Sequence, residues 1–161
     1  MEQTQREVES AREVGSRRQY ATFFVAGMCF GVEALKVQEV LFAQDMTQIP
    51  LAPEIITGLI NLRGQIVTAM DMRRRLNLPM RDAAVRAMNV VIRSEDGAVS
   101  LVVDEIGDVI EVSDICYEEP PVNMSAAQKE FVEGIYKLED SLLLSLNIDK
   151  LLRIQTGSGR N

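Results

Sequence analysis

Histidine is absent from the 161 residues of this chain. With it go the commonest general base, the commonest metal ligand and the side chain that titrates near neutral pH. No Cys-x-x-Cys or comparable metal-ligand spacing occurs. Tryptophan is missing too, and aromatic residues make up only 5%, so the core must be built mainly from Val, Leu, Ile and Met. The only cysteines, Cys29 and Cys116, stand in apolar, strand-like runs and read as reduced, buried thiols. Basic residues are outnumbered by acidic ones, 17 against 24, a balance that repels phosphate backbones and argues against a nucleic-acid partner. No apolar run approaches the roughly 20 residues that span a bilayer, and no signal-peptide pattern opens the chain. The expectation is a soluble, cytoplasmic protein with no direct membrane insertion.

Chemistry is sparse as well. Asp71, Asp104 and Asp149 form the only plausible acid/base set, and a nucleophile elbow and a phosphate-cradling glycine loop are both lacking. Asp71 has a structural use as a helix cap, Asp149 follows a second cap and Asp104 ends a strand. The reading is therefore not an enzyme, with no cofactor.

What is present is a period-2 apolar pattern broken by Gly, Asp, Asn and Pro, which predicts many short strands. Tyr20 to Val25 and Cys29 to Glu33 read as strands joined around Ala26-Gly27-Met28, and Gln38 to Gln44 as a third. Leu59 to Leu62 and Gln65 to Met70 flank the two-residue connection Arg63-Gly64, a hairpin. Met88 to Arg93 leads through Asp96-Gly97 into Val99 to Val103, and Val109 to Val112, Phe131 to Leu138 and Ser141 to Leu146 complete the set. The run Leu142-Leu143-Leu144 suggests a strand buried on both faces. Residues 1–17 are polar and charged, a composition expected of a disordered arm, and 155–161 has the Gly/Ser character of a flexible tail. One domain over 18–154, with a joint near 79–87, lies between them.

An internal repeat organises that domain. Residues 58–76 align without a gap on residues 134–152: Gly58 on Gly134, Leu62 on Leu138, Leu76 on Leu152. Asp71 falls on Asn147, and both are good N-caps ahead of a short helix. Upstream, Val37-Gln38-Glu39-Val40 resembles Ile106-Gly107-Asp108-Val109. Two similar units of strands, hairpin and helix would leave long unpaired edges in an open sheet, whereas small closed barrels remove them. The predicted fold is mainly β: two pseudo-repeated, five-stranded, SH3-like β-barrels, interleaved and packed together, with short helices after the hairpins.

Seven blocks, in order, resemble the CheW family of chemotaxis coupling proteins. They are Phe24 to Glu33, Val37 to Val40, Ile49-Pro50 with Ala52-Pro53, Gly58 to Gly64, Asp71-Met72-Arg73, Leu101 to Asp104, and Leu144 to Leu152. The resemblance implies a non-catalytic adaptor between the cytoplasmic tips of chemoreceptors and the regulatory domain of a histidine kinase. It also implies that Val37, Glu39, Gly58 and Arg63 face the receptor. Two other readings stand beside it: a paralogous adaptor of twitching motility or another chemosensory-like pathway, and a small barrel that binds an apolar ligand.

The residues themselves weigh on these implications. Turn geometry alone does not require Arg63-Gly64, because the second unit has Glu139-Asp140 there; a guanidinium on a rigid turn suits a partner's carboxylate or helix-end carbonyls. Val37 and Glu39, two apart on a strand, present an apolar and an anionic contact together. Gly58 and Gly134 read first as close backbone approaches. Arg73-Arg74-Arg75 reads as a solvated helix face.

Overall fold

The computed structural model describes residues 17–82 and 84–153. The tail and the arm expected at the two ends lie outside the described residues, except Arg17, which opens the first strand. The elements are β1 (Arg17–Val25), β2 (Met28–Glu33), β3 (Val37–Phe42), β4 (Ile56–Leu62), β5 (Gln65–Asp71), α1 (Met72–Arg75), β6 (Met88–Ile92), β7 (Val99–Val103), β8 (Glu105–Ser113), β9 (Tyr117–Glu118), α2 (Ala126–Phe131), β10 (Val132–Lys137), β11 (Leu142–Leu146) and α3 (Ile148–Leu151).

Two sheets form, with strand orders β8-β1-β2-β11-β10-β9 and β3-β6-β7-β5-β4. The units are exchanged between them. The hairpin β1–β2 of the first unit lies with β8–β11 of the second, where β2 runs parallel to β11; the hairpin β6–β7 of the second lies with β3–β5 of the first, where β7 runs parallel to β5. One bent segment closes each sheet. β8 pairs with β1, passes through a 3-10 turn at Asp114–Cys116, and resumes as β9 against β10. Likewise β3 pairs with β6, and the chain beyond it reaches Thr47, which bridges Leu59 of β4 through bonds of 2.9 and 2.7 Å. Both edges of each ladder are thus satisfied by one strand that turns a corner.

The repeat is structural in detail. The β4–β5 ladder shifts register between Ile56 and Gly58, and the β10–β11 ladder between Val132 and Gly134, the aligned positions. At each bulge the glycine lets the closing strand pass close by. A Cβ on Gly58 would meet the Thr47 carbonyl oxygen at 2.7 Å, and one on Gly134 would run into the Tyr117 ring. Asp71 caps α1 by accepting from the Arg73 N–H, and Asn147 caps α3 by accepting from the Lys150 N–H.

The main core cluster crosses both sheets, joining Phe23, Phe30 and Leu146 to Met70, Val90 and Leu101, with smaller clusters around Ile60 and Val67 and around Tyr20 and Tyr136. The barrel interiors are filled by such side chains. Several expectations are corrected. Leu142 is half exposed because it follows the turn directly, although Leu143 to Leu146 are all buried, so the rest of the strand is covered on both faces as expected. Phe131 ends a helix rather than opening a strand: Ser125 accepts from the Gln128 N–H and caps the unpredicted α2. Both cysteines are free but only partly buried, and desolvation raises the pKa of the Cys29 thiol.

The arginine run is not a solvated face. Arg73 donates to both oxygens of Asp104, the closest contact being 2.6 Å, and Arg75 donates to the carbonyls of Lys150, Leu151 and Arg153 while lying 4.6 Å over the Phe131 ring. Only Arg74, paired with exposed Glu54, behaves as expected. Successive residues on one helical turn point in different directions, and here two of the three point at the other unit.

Candidate functional site

β3 and β8 are edges of different sheets, and their outer sides face each other across an open groove of about 250 Å3. Val37, Glu39 and Val40 line one wall, Ile106, Gly107 and Val109 the other; Ala21, Thr22, Phe23 and Val90 form the floor. The walls are the two copies of the upstream repeat. Val40 pairs with Val90 as Val109 pairs with Ala21, and Val37 pairs with Ile92 as Ile106 pairs with Phe23. Each wall is also bulged at the same point, Gln38 in β3 and Gly107-Asp108 in β8, so that strand direction and side-chain facing change together. In β8 the bulge is held by the Thr22 hydroxyl, which donates to the Asp108 carbonyl at 2.6 Å. Val40 and Val109 remain 48% and 61% exposed, an apolar surface that the fold leaves uncovered.

Arg63 joins this groove from the β4–β5 turn. Arg63 and Gly64 both have positive φ, 52° and 87°, as a type I′ turn requires, and the Asn61 side chain accepts from the Gly64 N–H. The Arg63 guanidinium donates to both Glu39 oxygens, at 3.3 and 3.0 Å. Its side chain is 81% exposed while that of Glu39 is 18% exposed, so the pair adds little to stability. Its geometric effect is larger: the carboxylate aims the guanidinium and leaves further N–H donors open on the outer side.

The structure therefore places Val37 and Glu39 on the groove wall and holds Arg63, which is not itself a lining residue, to Glu39. Gly58 is buried beneath Met46 and Thr47 and is not among the groove-lining residues. Sequence reasoning did not assign Val40, Ile106 or Val109 to the site. The signal lies in the likeness of Val37–Val40 to Ile106–Val109, but only the strand exchange puts the two segments face to face.

The three carboxylates considered for acid/base work have structural partners or positions instead. Asp104 accepts from Arg73, from the Arg81 Nε at 2.7 Å and from the Ala26 N–H at 2.7 Å. Burial alone would raise its pKa, but these bonds outweigh burial and bring it down to about 2. Asp71 caps α1, and Asp149 is exposed in the first turn of α3. Among the described residues no group of three or more His, Cys, Asp or Glu could hold a metal ion, and no helix is long and apolar enough to cross a membrane.

The family model of the CheW-like domain matches residues 19–156. The chain is 29% identical over 139 residues to the chemotaxis protein CheW of Treponema pallidum (strain Nichols), covering 83% of this chain and 81% of that protein. It is 29% identical over 140 residues to chemotaxis protein CheW of Bacillus subtilis (strain 168), covering 87% and 90%. The crystal structure of the scaffolding protein TtCheW from Thermoanaerobacter tengcongensis matches with a TM-score of 0.77 at 27% identity, over 87% of this chain and 95% of that one. Motif order, internal repeat, barrel pairing and these matches lead to one conclusion: the chain belongs to the CheW-like family.

Proposed function

We propose that this chain is a non-enzymatic adaptor that couples chemoreceptors to a chemotaxis histidine kinase at the cytoplasmic side of the membrane. The observation that carries the reading is the groove: an uncovered apolar channel with an aimed Glu39–Arg63 pair on its rim. A helical receptor tip would lay an apolar stripe along Val37 and Val40 while Arg63 takes a carboxylate or helix-end carbonyl. Gly58 contributes by letting the 43–55 connection close against β4, which holds the turn bearing Arg63.

The kinase is held elsewhere, on barrel ends and edges where Ile66 and Leu142, aligned in the repeat, are 59% and 50% exposed. Signalling then works through the fixed spacing of two interfaces rather than through turnover.

Reconstitution tests the proposal. Kinase activity should come under receptor control only when this chain is added to receptor fragments and the cognate kinase. Val37→Asp and Arg63→Asp should each weaken receptor-fragment binding about tenfold or more, with melting temperature essentially unchanged in Arg63→Asp, whose side chain is largely exposed. Wild-type receptor affinity in both variants would contradict the assignment.

A further inference from the structure

The six-stranded sheet carries another open recess, of about 350 Å3, at the corner where the closing segment passes from β1 to β10. Tyr20, Tyr136 and Ser145 form its buried part. Their hydroxyls meet there, Ser145 donating to Tyr20 at 3.2 Å and Tyr20 reaching Tyr136 at 3.5 Å. Arg18, Asp114, Tyr117 and Glu133 complete the lining nearer solvent. The first barrel shows that the fold does not require these hydroxyls. In the repeat, Tyr136 falls on Ile60 and Ser145 on Ala69, both buried among apolar side chains. The second barrel thus gathers at one place polar groups that its twin does without, although burying polar groups costs stability unless they are partnered.

The charges around the recess do not balance. Arg18 is turned to Asp114, at 3.7 Å. Glu133 has no cationic partner among the described residues, and its carboxylate meets the buried Ser145 hydroxyl at 3.5 Å, which aims it inward. Tyr117 and Tyr136 stand edge to face with ring centroids 5.4 Å apart, and Tyr20 tilts against Tyr136 at 5.5 Å. Aromatic rings beside a carboxylate without an ionic partner attract positive charge, and each hydroxyl oxygen here can accept from an N–H. We infer that this recess binds an organic cation, a guanidinium or alkylammonium head group held by Glu133 against the Tyr117 and Tyr136 rings. An anion is disfavoured, because two carboxylates face one guanidinium. The head group belongs either to a free small molecule or to a basic side chain of a protein partner. Small-ligand sites span about 300–1,000 Å3, and this one has room for a head group and a short stem from either source. It shares no lining residue with the receptor groove.

Backbone amide spectra of the isotope-labelled chain test the inference, titrated with propylguanidinium, its neutral isostere propylurea, propionate, and the end-blocked peptide Gly-Gly-Arg-Gly-Gly. Propylguanidinium should give saturable shifts at Tyr117, Gly134, Tyr136 and Ser145, and propylurea and propionate should give none. Glu133→Gln, at an exposed position, should weaken propylguanidinium binding about tenfold or more, with the free protein's spectrum unchanged away from β10. Arg18→Gln should bind propylguanidinium at least as tightly as the parent, since it releases Asp114. Shifts from the peptide at the same amides would identify a partner's basic side chain as a source. A silent peptide beside binding of propylguanidinium would restrict the site to free small molecules. Silence of both cationic probes overturns the inference. So do full affinity in Glu133→Gln, equal binding of propylurea and propylguanidinium, and saturable binding of propionate that Arg18→Gln abolishes.

Discussion

Asp104 is a side chain on which separate parts of the chain converge. It receives Arg73 from α1, Arg81 from the joint and the Ala26 N–H from the β1–β2 turn, while its own N–H donates to the Phe24 carbonyl. These contacts tie the hairpin exchanged out of the first unit back to the sheet it left. The carboxyl is held at about 2 against an ordinary 3.8, and that difference is equivalent to about 2 kcal/mol of stability. Because the folded pKa is the lower one, this stabilisation is complete above the ordinary carboxylate range and is lost as pH falls from about 4 towards 2. Urea melts across that window should show the loss. Asp104→Asn should be destabilised at neutral pH and should have a flatter acid limb; the wild-type acid slope in that variant would show that Asp104 is not its source. Nothing in the sequence marked this role. Asp104 was legible as the end of a strand, Arg73 as one of three charges on a short helix, and only tertiary contact makes them partners.

At the scale of elements, the closing strands depend on glycine at two aligned bulges. Gly134→Ala places a methyl group against the Tyr117 ring and should destabilise by about 1–3 kcal/mol. Tyr117→Ala in the same chain should recover part of that loss, since the obstacle is a side chain. Gly58→Ala meets the Thr47 carbonyl, so trimming a side chain cannot relieve it. Thermal melts of the single and double variants measure this, and equal melting of Gly134→Ala with and without Tyr117→Ala would refute the packing account. The elements themselves were largely legible: the period-2 strands, the Arg63-Gly64 hairpin and both caps appear where the pattern places them. What escaped were α2, whose Ser125 cap lies in a polar stretch with no strong apolar period, and the exposure of Leu142, because a run of three leucines does not reveal which one borders a turn.

At the scale of the whole molecule, the exchange of hairpins makes the two units interdependent. β1–β2 has its sheet partners in the second unit and β6–β7 in the first, and Arg75 binds the last carbonyls of α3 across a long stretch of sequence. Fragments 1–80 and 84–161 should therefore show no cooperative melt alone and should regain one transition, near that of the intact chain, when mixed. A fragment that melts cooperatively by itself would mean that its hairpin finds a partner within the unit. The repeat was visible in the sequence as two successive halves, yet sequence order does not reveal which hairpin crosses over. The groove is a product of that crossing: it exists because β3 and β8, aligned in the repeat, end as edges of different sheets.

The central claim is that this outer groove, and no interior pocket, is the receptor-binding part of the protein. Amide chemical-shift mapping on the isotope-labelled chain, titrated with a receptor-tip fragment, tests it most directly. Saturable shifts should concentrate on Val37–Val40, Ile106–Val109 and Arg63-Gly64, and should be lost in Val37→Asp. Shifts confined to a different face, with these three segments unmoved at saturation, would contradict it.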